Sequence, residues 1–336
     1  MNPIQFLLGI QIKRNKLLSE GGFTLIELLI GMVIAVLVIT PLLGFMVNIL
    51  NTDRQEQAKS TSEQEIQTAL DYISRDLQQA VYIYDATGVD AIKAQLPSPT
   101  ATDRVPVLVF WKREFIGQAL TAADTNKDDT FVYSLVAYYL IKDNDATWSK
   151  AARIARWQVR DGVLSTDASA VTCNGYSGKY VSNSYCPSSG FAPFNFDGAG
   201  TIEQKMNSWT RLSSYTTTTT NPDGTKTTQT TNVSYGNTPL VLVDYIDQTT
   251  TGAPSATCST GTKVAPASFV DPSNATSNMT SFYACVDRAN TTAQVFIRGN
   301  ALARLQSTNF AYNASKKNYF PSVNMRVQGR GFLFTK

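Results

Sequence analysis

Hydrophobic residues form one long run near the start of the sequence, between Phe23 and Leu50. About 20 residues at 1.5 Å rise span the hydrocarbon core of a bilayer, so the run predicts one membrane-spanning helix. Glu27 is its only charged residue. A lone carboxylate there costs roughly 2.5–3.5 kcal/mol even on lenient insertion scales, so its presence needs a physical reason. Pro41 and Gly44 lie in the same run, and we expect them to loosen or kink the helix.

The residues before this run set its orientation. Lys13, Arg14 and Lys16 form a basic cluster just ahead of it. The positive-inside rule therefore predicts that residues 1–22 stay in the cytoplasm and that the chain after about residue 50 lies across the membrane. A cleavable secretory signal is the alternative, but its apolar core is shorter and ends at a small-residue site. Here the small residues, Gly21 and Gly22, precede the run.

After Asn51 the sequence becomes polar but keeps a helical pattern. Apolar residues recur three and four positions apart, which predicts an amphipathic continuation of the helix over residues 51–85. The stripe consists of Ile66, Ala69, Leu70, Ile73, Leu77, Ala80 and Val81.

The remaining residues, 86–336, predict a β-rich globular head. A Pro-rich break at residues 97–99 is followed by runs rich in Val, Ile, Tyr and Phe. The predicted strands are Val105–Phe110, Phe131–Ile141, Ile154–Val159, Leu240–Ile246, Phe282–Val286 and Gln294–Arg298. The fold class that follows is α+β, with an antiparallel sheet packed against the long helix.

A threonine-rich segment interrupts the head at residues 215–235. It surrounds an Asn-Pro-Asp-Gly sequence at residues 221–224, which is typical of a turn. The pattern predicts either an extended β-hairpin arm with polar faces or a mobile loop.

Composition narrows the functional classes. The 336 residues include 29 basic and 26 acidic side chains and no histidine. The near balance, without a basic stripe, argues against a nucleic-acid partner. The absence of histidine removes the commonest general base and the commonest transition-metal ligand. Because no nucleophile elbow or phosphate loop occurs either, we expect neither enzymatic activity nor a cofactor.

Four cysteines, Cys173, Cys186, Cys258 and Cys285, lie in the second half of the chain. Their even number suggests disulfides formed in an oxidising compartment. Three pairings are open, and we prefer the two shorter loops, Cys173 with Cys186 and Cys258 with Cys285. The alternative is four free thiols in a cytosolic protein.

One acidic segment raises the question of calcium. Asp124, Asn126 and Asp128 occupy alternate positions, as at the start of a calcium-binding loop. Asp129 stands where such a loop needs glycine, and Leu135 stands where it needs glutamate. An acidic turn between two strands is the interpretation that we prefer, with a calcium site as the alternative.

The hexapeptide at residues 22–27, Gly-Phe-Thr-Leu-Ile-Glu, resembles the processing motif of type IV pilins and pseudopilins. The resemblance implies that prepilin peptidase cuts after Gly22, removing a leader of residues 1–22, and methylates the new terminal Phe23. Glu27 is then the fifth residue, and the family implies that it pairs with the terminal ammonium of a neighbouring subunit. A buried charge is tolerated when it is paired. The alternative is a single-pass anchor in which Glu27 snorkels to the interface.

Weaker similarities suggest a narrower group. A longish leader, the Arg-Asp-Leu end of the segment at residues 69–80, a Thr-rich head and the closing residues 327–333 together resemble pseudopilins of hormogonium polysaccharide secretion in filamentous cyanobacteria. This implies a minor subunit of a type IV pilus-like or type II secretion-like filament that supports polysaccharide secretion and gliding motility. It would sit in the inner membrane with a periplasmic head until assembly. Its partners would be prepilin peptidase, other major and minor pilins or pseudopilins, the inner-membrane assembly platform and polysaccharide.

The alternative function is a surface adhesin or polysaccharide-binding module anchored by one transmembrane helix. Aromatic side chains can stack on sugar rings, although core packing is the interpretation that we prefer for each of them. The candidates are Trp111, Trp148, Trp157, Trp209 and Tyr176.

Overall fold

The computed structural model describes residues 22–121, 127–266 and 278–331. It divides into two units, and the division falls between Arg54 and Gln55. Each unit has a different relation to solvent, so the two are described separately.

The first unit contains the amino-terminal part of helix α1, Leu25–Gln78. The helix passes through Pro41 and Gly44 without a break. Every side chain described up to Leu50 is exposed. With a mean hydropathy of 2.7 over its most apolar window, α1 is long and apolar enough to cross a membrane, and it is the one helix of the described residues that meets this test.

The second unit begins within α1, whose later turns bury an apolar stripe. The buried positions include Ile66, Ala69, Leu70, Ile73 and Leu77, as the three- and four-residue spacing predicts.

The predicted end of α1 was wrong, because the helix stops at Gln78 and not near residue 85. Ala80–Ile83 forms strand β1, which pairs antiparallel with the next strand of the sheet. Val81 and Ile83 are β-branched, and ladder bonds to a neighbouring strand outweigh the helical spacing of Ala80 and Val81.

The main sheet of the head has five antiparallel strands in the order β1-β2-β3-β4-β9. The strands after β1 are β2 Arg104–Thr121, β3 Lys127–Ile141, β4 Ala152–Arg160 and β9 Leu240–Ile246. They contain the four segments predicted as strands in this part of the sequence. The α+β class and the antiparallel head are thereby confirmed.

A second antiparallel sheet of four strands was only half predicted. Its order is β10 Thr262–Val264, β11 Phe282–Asp287, β12 Thr292–Arg298 and β13 Ser322–Gln328. The two sheets meet where β9 and β12 end: the Asp247 amide donates to the Arg298 carbonyl at 3.0 Å. The Arg298 Nε also donates to the buried Asp247 carboxylate at 2.8 Å. Side chains of α1 and of both sheets share one hydrophobic core.

Short elements complete the head. Helix α2 spans Ala86–Ile92, α3 spans Ile202–Asn207 and α4 spans Leu302–Leu305, with 3₁₀ turns at Lys93–Gln95, Asn183–Tyr185 and Ala314–Tyr319. Strands β5 Val171–Thr172 and β6 Lys179–Tyr180 form a small pair.

The threonine-rich segment is a two-stranded hairpin, which we call the arm. Strands β7 Ser214–Thr220 and β8 Lys226–Asn232 pair in register from Ser214 opposite Asn232 to Thr220 opposite Lys226. The turn closes with Asn221 donating to the Thr225 carbonyl at 2.8 Å, and Gly224 adopts a φ of +83°. Of the two predicted forms, the β-hairpin is therefore the one that the chain adopts.

The cysteines form two disulfides, Cys173–Cys186 and Cys258–Cys285. This is the preferred pairing with the shorter loops, and no cysteine of the described residues is free. The second bridge attaches the loop before β10 to strand β11. The apolar side chains around this bridge form a small cluster with Ala265 and Tyr283.

The end of the described chain joins the second sheet to the first. After β13, the Arg330 amide donates to the Gln78 carbonyl at 3.0 Å and the Gly331 amide donates to the Ala80 carbonyl at 3.1 Å. The approach is close enough that a Cβ on Gly329 would lie 2.5 Å from the Ala80 carbonyl oxygen. Position 329 therefore has no room for a Cβ, and only glycine fits without a shift of the backbone.

We therefore predict that Gly329→Ala lowers the free energy of unfolding by about 1–3 kcal/mol, because backbone must move to relieve the overlap. Gly236→Ala is the matched control, since its Cβ would meet only Ser189 at 3.8 Å. Urea denaturation of the purified full chain measures both. Equal effects of the two substitutions would contradict the close contact.

Candidate processing and assembly site

The amino-terminal motif is the start of helix α1. Thr24 directly precedes the first helical residue, Leu25. The Glu27 amide donates to the Thr24 Oγ1 at 3.3 Å, and the Glu27 carboxylate accepts from the Thr24 amide at 3.1 Å. These reciprocal bonds are a capping box, which satisfies two of the helix's unpaired donors. The sequence signal for this capping box is the Thr-x-x-Glu spacing of residues 24–27, which was missed because Glu27 was interpreted only as a charge.

The predicted cleavage position is open to a protease. Gly22 and Phe23 lie outside the helix, in chain without regular structure. A Cβ on Gly22 would meet no atom within 4 Å, and Phe23 is 86% exposed. An exposed, non-helical peptide bond can be bound in extended form by an enzyme, so the local geometry permits cleavage after Gly22.

The helix after the motif exposes apolar side chains around its whole circumference. Between Leu25 and Leu50 no described side chain is buried, and Glu27 is the only charged one. Fully burying one Leu, Ile, Val, Phe or Met is worth roughly 1.5–3 kcal/mol. A helix that is apolar on all sides requires a bilayer or other apolar helices around it.

The comparisons with known proteins bear on this region. Residues 18–43 match the family model described as the prokaryotic N-terminal methylation motif. No curated protein and no solved structure matched the chain. The chain thus carries a type IV pilin-like methylation motif, and the match covers the motif and the first part of α1 only. It does not narrow the chain to the hormogonium or cyanobacterial group.

A second cluster, in the head, fixes the last turn of α1. The buried carboxylate of Asp76 accepts from Lys112 Nζ at 2.9 Å, from Arg156 Nε at 2.6 Å and from the Tyr138 hydroxyl at 2.7 Å. The three donors come from β2, β4 and β3, so one carboxylate bonds to three neighbouring strands. We call these four side chains the Asp76 cluster. The Arg-Asp-Leu sequence at residues 75–77 marks the position of Asp76 but gives no sign of these partners, which were not predicted.

The electrostatics of the cluster favour the ionised carboxylate. Burial by itself would raise the pKa of Asp76, but the hydrogen bonds and charges of Arg156 and Lys112 outweigh it and hold the pKa below its usual range. Burial raises the pKa of the Tyr138 hydroxyl, and the neighbouring Asp76 charge adds to this effect. Tyr138 therefore remains a neutral donor to Asp76 at physiological pH.

Two of the three candidate calcium ligands, Asp124 and Asn126, lie outside the described residues, whereas Asp128 is an exposed residue of β3. No group of three or more His, Cys, Asp or Glu side chains suited to a metal occurs in the described part of the chain.

Most of the aromatic candidates for sugar stacking are core residues. Trp111, Trp157 and Trp209 are buried, as expected, and Tyr176 is half-buried with its hydroxyl bonded to backbone carbonyls. Trp148 differs, because it is 39% exposed.

The Asp76 cluster predicts a specific pH dependence. Since the pKa of Asp76 is lower in the folded chain than the unfolded value of about 3.9, its stabilising effect is fully present above that value and is lost as pH falls through the lower folded pKa. Asp76→Asn should lower the free energy of unfolding at pH 7 by about 3–5 kcal/mol, because Lys112 and Arg156 lose their counter-charge. The difference from the native chain should shrink toward pH 3.

Denaturant titrations at several pH values measure this difference. Asp90→Asn is the matched control, since Asp90 is exposed on α2, and we expect it to change stability by no more than about 0.5 kcal/mol. A destabilisation by Asp76→Asn that stays constant between pH 7 and pH 3 would refute the assignment.

Proposed function

We propose that this chain is a minor pilin or pseudopilin, cleaved after Gly22 by prepilin peptidase, methylated on Phe23 and assembled through α1 into a type IV pilus-like or type II secretion-like filament. The observation that carries the proposal is the exposed apolar start of α1, with one carboxylate, inside the methylation-motif match at residues 18–43. In this account the helix resides in the inner membrane until it exchanges lipid for the helices of other subunits, and the head lies on the periplasmic side.

Glu27 supplies the polar contact in this assembly. Both bonds from Thr24 reach its Oε2, one from the amide and one from the hydroxyl at 3.0 Å. Its Oε1 is then available to the terminal ammonium of a neighbouring Phe23. Pairing of the two charges removes the cost of leaving either one alone in an apolar surrounding. Glu27 thus caps its own helix and binds the next subunit.

The head has a structural and interaction role in this proposal, without enzymatic activity. Its partners are other major and minor pilins or pseudopilins and the inner-membrane assembly platform. A role in polysaccharide secretion and gliding motility is the narrower form of the proposal, and it rests on sequence similarity alone.

A polysaccharide-binding adhesin is the second candidate. One observation favours it: Trp148 and Tyr72, 39% and 46% exposed, line the same groove of the head. Exposed aromatic rings offer a sugar both an apolar face and a polar edge. Retained polysaccharide binding by the membrane-anchored chain, lost in a Trp148→Ala variant, would favour this candidate.

Mass spectrometry of the amino terminus tests the processing step. We expect a mature chain that begins at methylated Phe23 in cells with prepilin peptidase, and an uncut chain in cells without it. Gly22→Val should block cleavage, whereas Gly31→Ala, a control inside α1 with open space around its Cβ, should not. An uncut leader in wild-type cells, or a cut after residue 50, would overturn the proposal.

Glu27→Gln separates the two roles of Glu27. Glutamine at this position can still complete the capping box, but it carries no charge for the neighbouring ammonium. We expect the amount of subunit in sheared filaments to fall at least about tenfold, since breaking a buried ion pair costs about 3–5 kcal/mol. Glu63→Gln, at an exposed position of α1, is the control. Wild-type incorporation of Glu27→Gln would favour the snorkelling alternative.

A further inference from the structure

A groove of about 570 Å³ lies in the head between α1 and strand β9. Helix residues between Thr61 and Tyr72 form one wall, and Trp148 stands beside it. All these residues belong to the second unit, so the groove is a feature of the head alone.

The opposite wall is the edge of β9. Four consecutive residues, Val241 to Asp244, line the groove. Register shifts between β4 and β9 break the usual alternation of side chains along β9, so consecutive residues can line one groove at the edge of the sheet. Strand β9 is the last strand in its sheet, and its outer edge meets Asn300 and Gly299 only at Tyr245 and Ile246 within the described chain. An extended polypeptide can therefore add to β9 beside α1, as in β-strand addition between a helix and a sheet edge.

The arm carries an open and uncharged strand edge. Strand β7 carries no charged residue, and six of its seven positions are exposed. In the described chain β7 pairs only with β8, so its outer edge is open. Natural edge strands are usually protected by charges, proline or bulges, and a two-stranded hairpin is only marginally stable alone. β7 has none of these protections along its length.

The arm and the groove belong to opposite faces of the main sheet. Neighbouring residues of β4 show this: Arg156 reaches Asp76 on α1, whereas the Trp157 ring packs 4.7 Å from the Tyr235 ring at the base of the arm. Because consecutive side chains in a strand alternate, α1 covers one face and the arm leaves from the other. A second copy can thus present its arm to the groove of the first.

We propose that strand β7 of one copy adds to the edge of β9 in the groove of a second copy. The seven residues of β7 are enough to cover the five residues of β9, Leu240 to Asp244, that precede its pairing with Gly299 and Asn300. Threonine is β-branched and favours strands, and its methyl groups suit the apolar part of the groove.

The charged side chains of the groove already have partners, which suits an uncharged strand as the occupant. Glu65 pairs with Arg304, and the Asp244 carboxylate accepts from the Ser149 amide and hydroxyl at 2.8 Å each. An occupant without charges leaves these pairs intact and buries no new unpaired charge. The contact is head-to-tail, because different surfaces of the two copies meet, and such contacts form open chains when the rotation between copies does not close.

The inference goes beyond the proposed function by naming a contact surface between the globular heads of two copies, and it can be tested separately. Two tagged versions of the full chain are produced together in membranes, one carrying Gln64→Cys on the helix wall of the groove. The other carries a cysteine at one of four successive arm positions: Thr216, Thr217, Thr218 or Thr219. Mild oxidation, a non-reducing gel and peptide mass spectrometry identify the linked pairs.

Gln67→Cys is the matched control, because Gln67 is exposed on α1 and does not line the groove. We expect Gln64→Cys to link to the arm at least about tenfold more than the control, because docking raises the local thiol concentration. The yield should alternate along the arm with a period of two residues, as a docked strand requires. Replacing residues 216–230 with a short Gly-Ser turn should abolish links from Gln64→Cys to other copies.

Several results would overturn the inference. One is equal linking of Gln64→Cys and Gln67→Cys to the arm, and another is linking without alternation along the arm. The others are links mainly to a different polypeptide, or a Gln64→Cys thiol that is shielded from oxidation only when glycan is added. Measuring in the same preparations whether the chain starts at a methylated Phe23 separates the two proposals. Processed chains without arm links contradict only the arm contact. Arm links in unprocessed chains contradict only the pilin assignment.

Discussion

The buried carboxylate of Asp76 is the constraint on which the arrangement of the head depends. Its bonds to Lys112, Tyr138 and Arg156 fix the last turn of α1 against β2, β3 and β4 at once. A buried charge without partners is strongly destabilising, so the helix cannot slide along the sheet without breaking the cluster. The adjacent Leu77 is thereby held in the core, and β1 follows after a short turn. The end of the described chain then bonds to Gln78 and Ala80 at the same place.

The same helix meets two opposite physical demands. Up to Leu50 it exposes apolar side chains on every side, whereas after Gln55 it buries a stripe and exposes a polar face. The first part needs lipid or other apolar helices, and the second part needs its own head. One continuous helix therefore connects an apolar segment to a folded domain. A chain of this construction suits a subunit whose helix changes its surroundings while its head stays intact.

The sequence predicted the features that depend on local pattern. Hydrophobic spacing indicated α1 and its buried stripe, β-branched runs indicated the long strands, and loop length indicated both disulfides. Contacts between distant residues could not be predicted in this way. Asp76 bonds to partners 36, 62 and 80 positions away, and no local sequence pattern marks them. Strand β13 was missed although Val323, Met325 and Val327 alternate with exposed polar residues, which is the pattern of a half-buried strand. The end of α1 was misplaced because Ala80 and Val81 fit both a helical stripe and a strand.

Hydrogen exchange of the native full chain tests most directly whether the helix end and the sheet are held as one unit. The account predicts that the backbone amides of Ile66 to Leu77 and those of β2 to β4 exchange with the same opening free energy, that of global unfolding. Asp76→Asn should lower this free energy equally for both groups. Helix amides that open in the native chain several kcal/mol more easily than the sheet amides would contradict it.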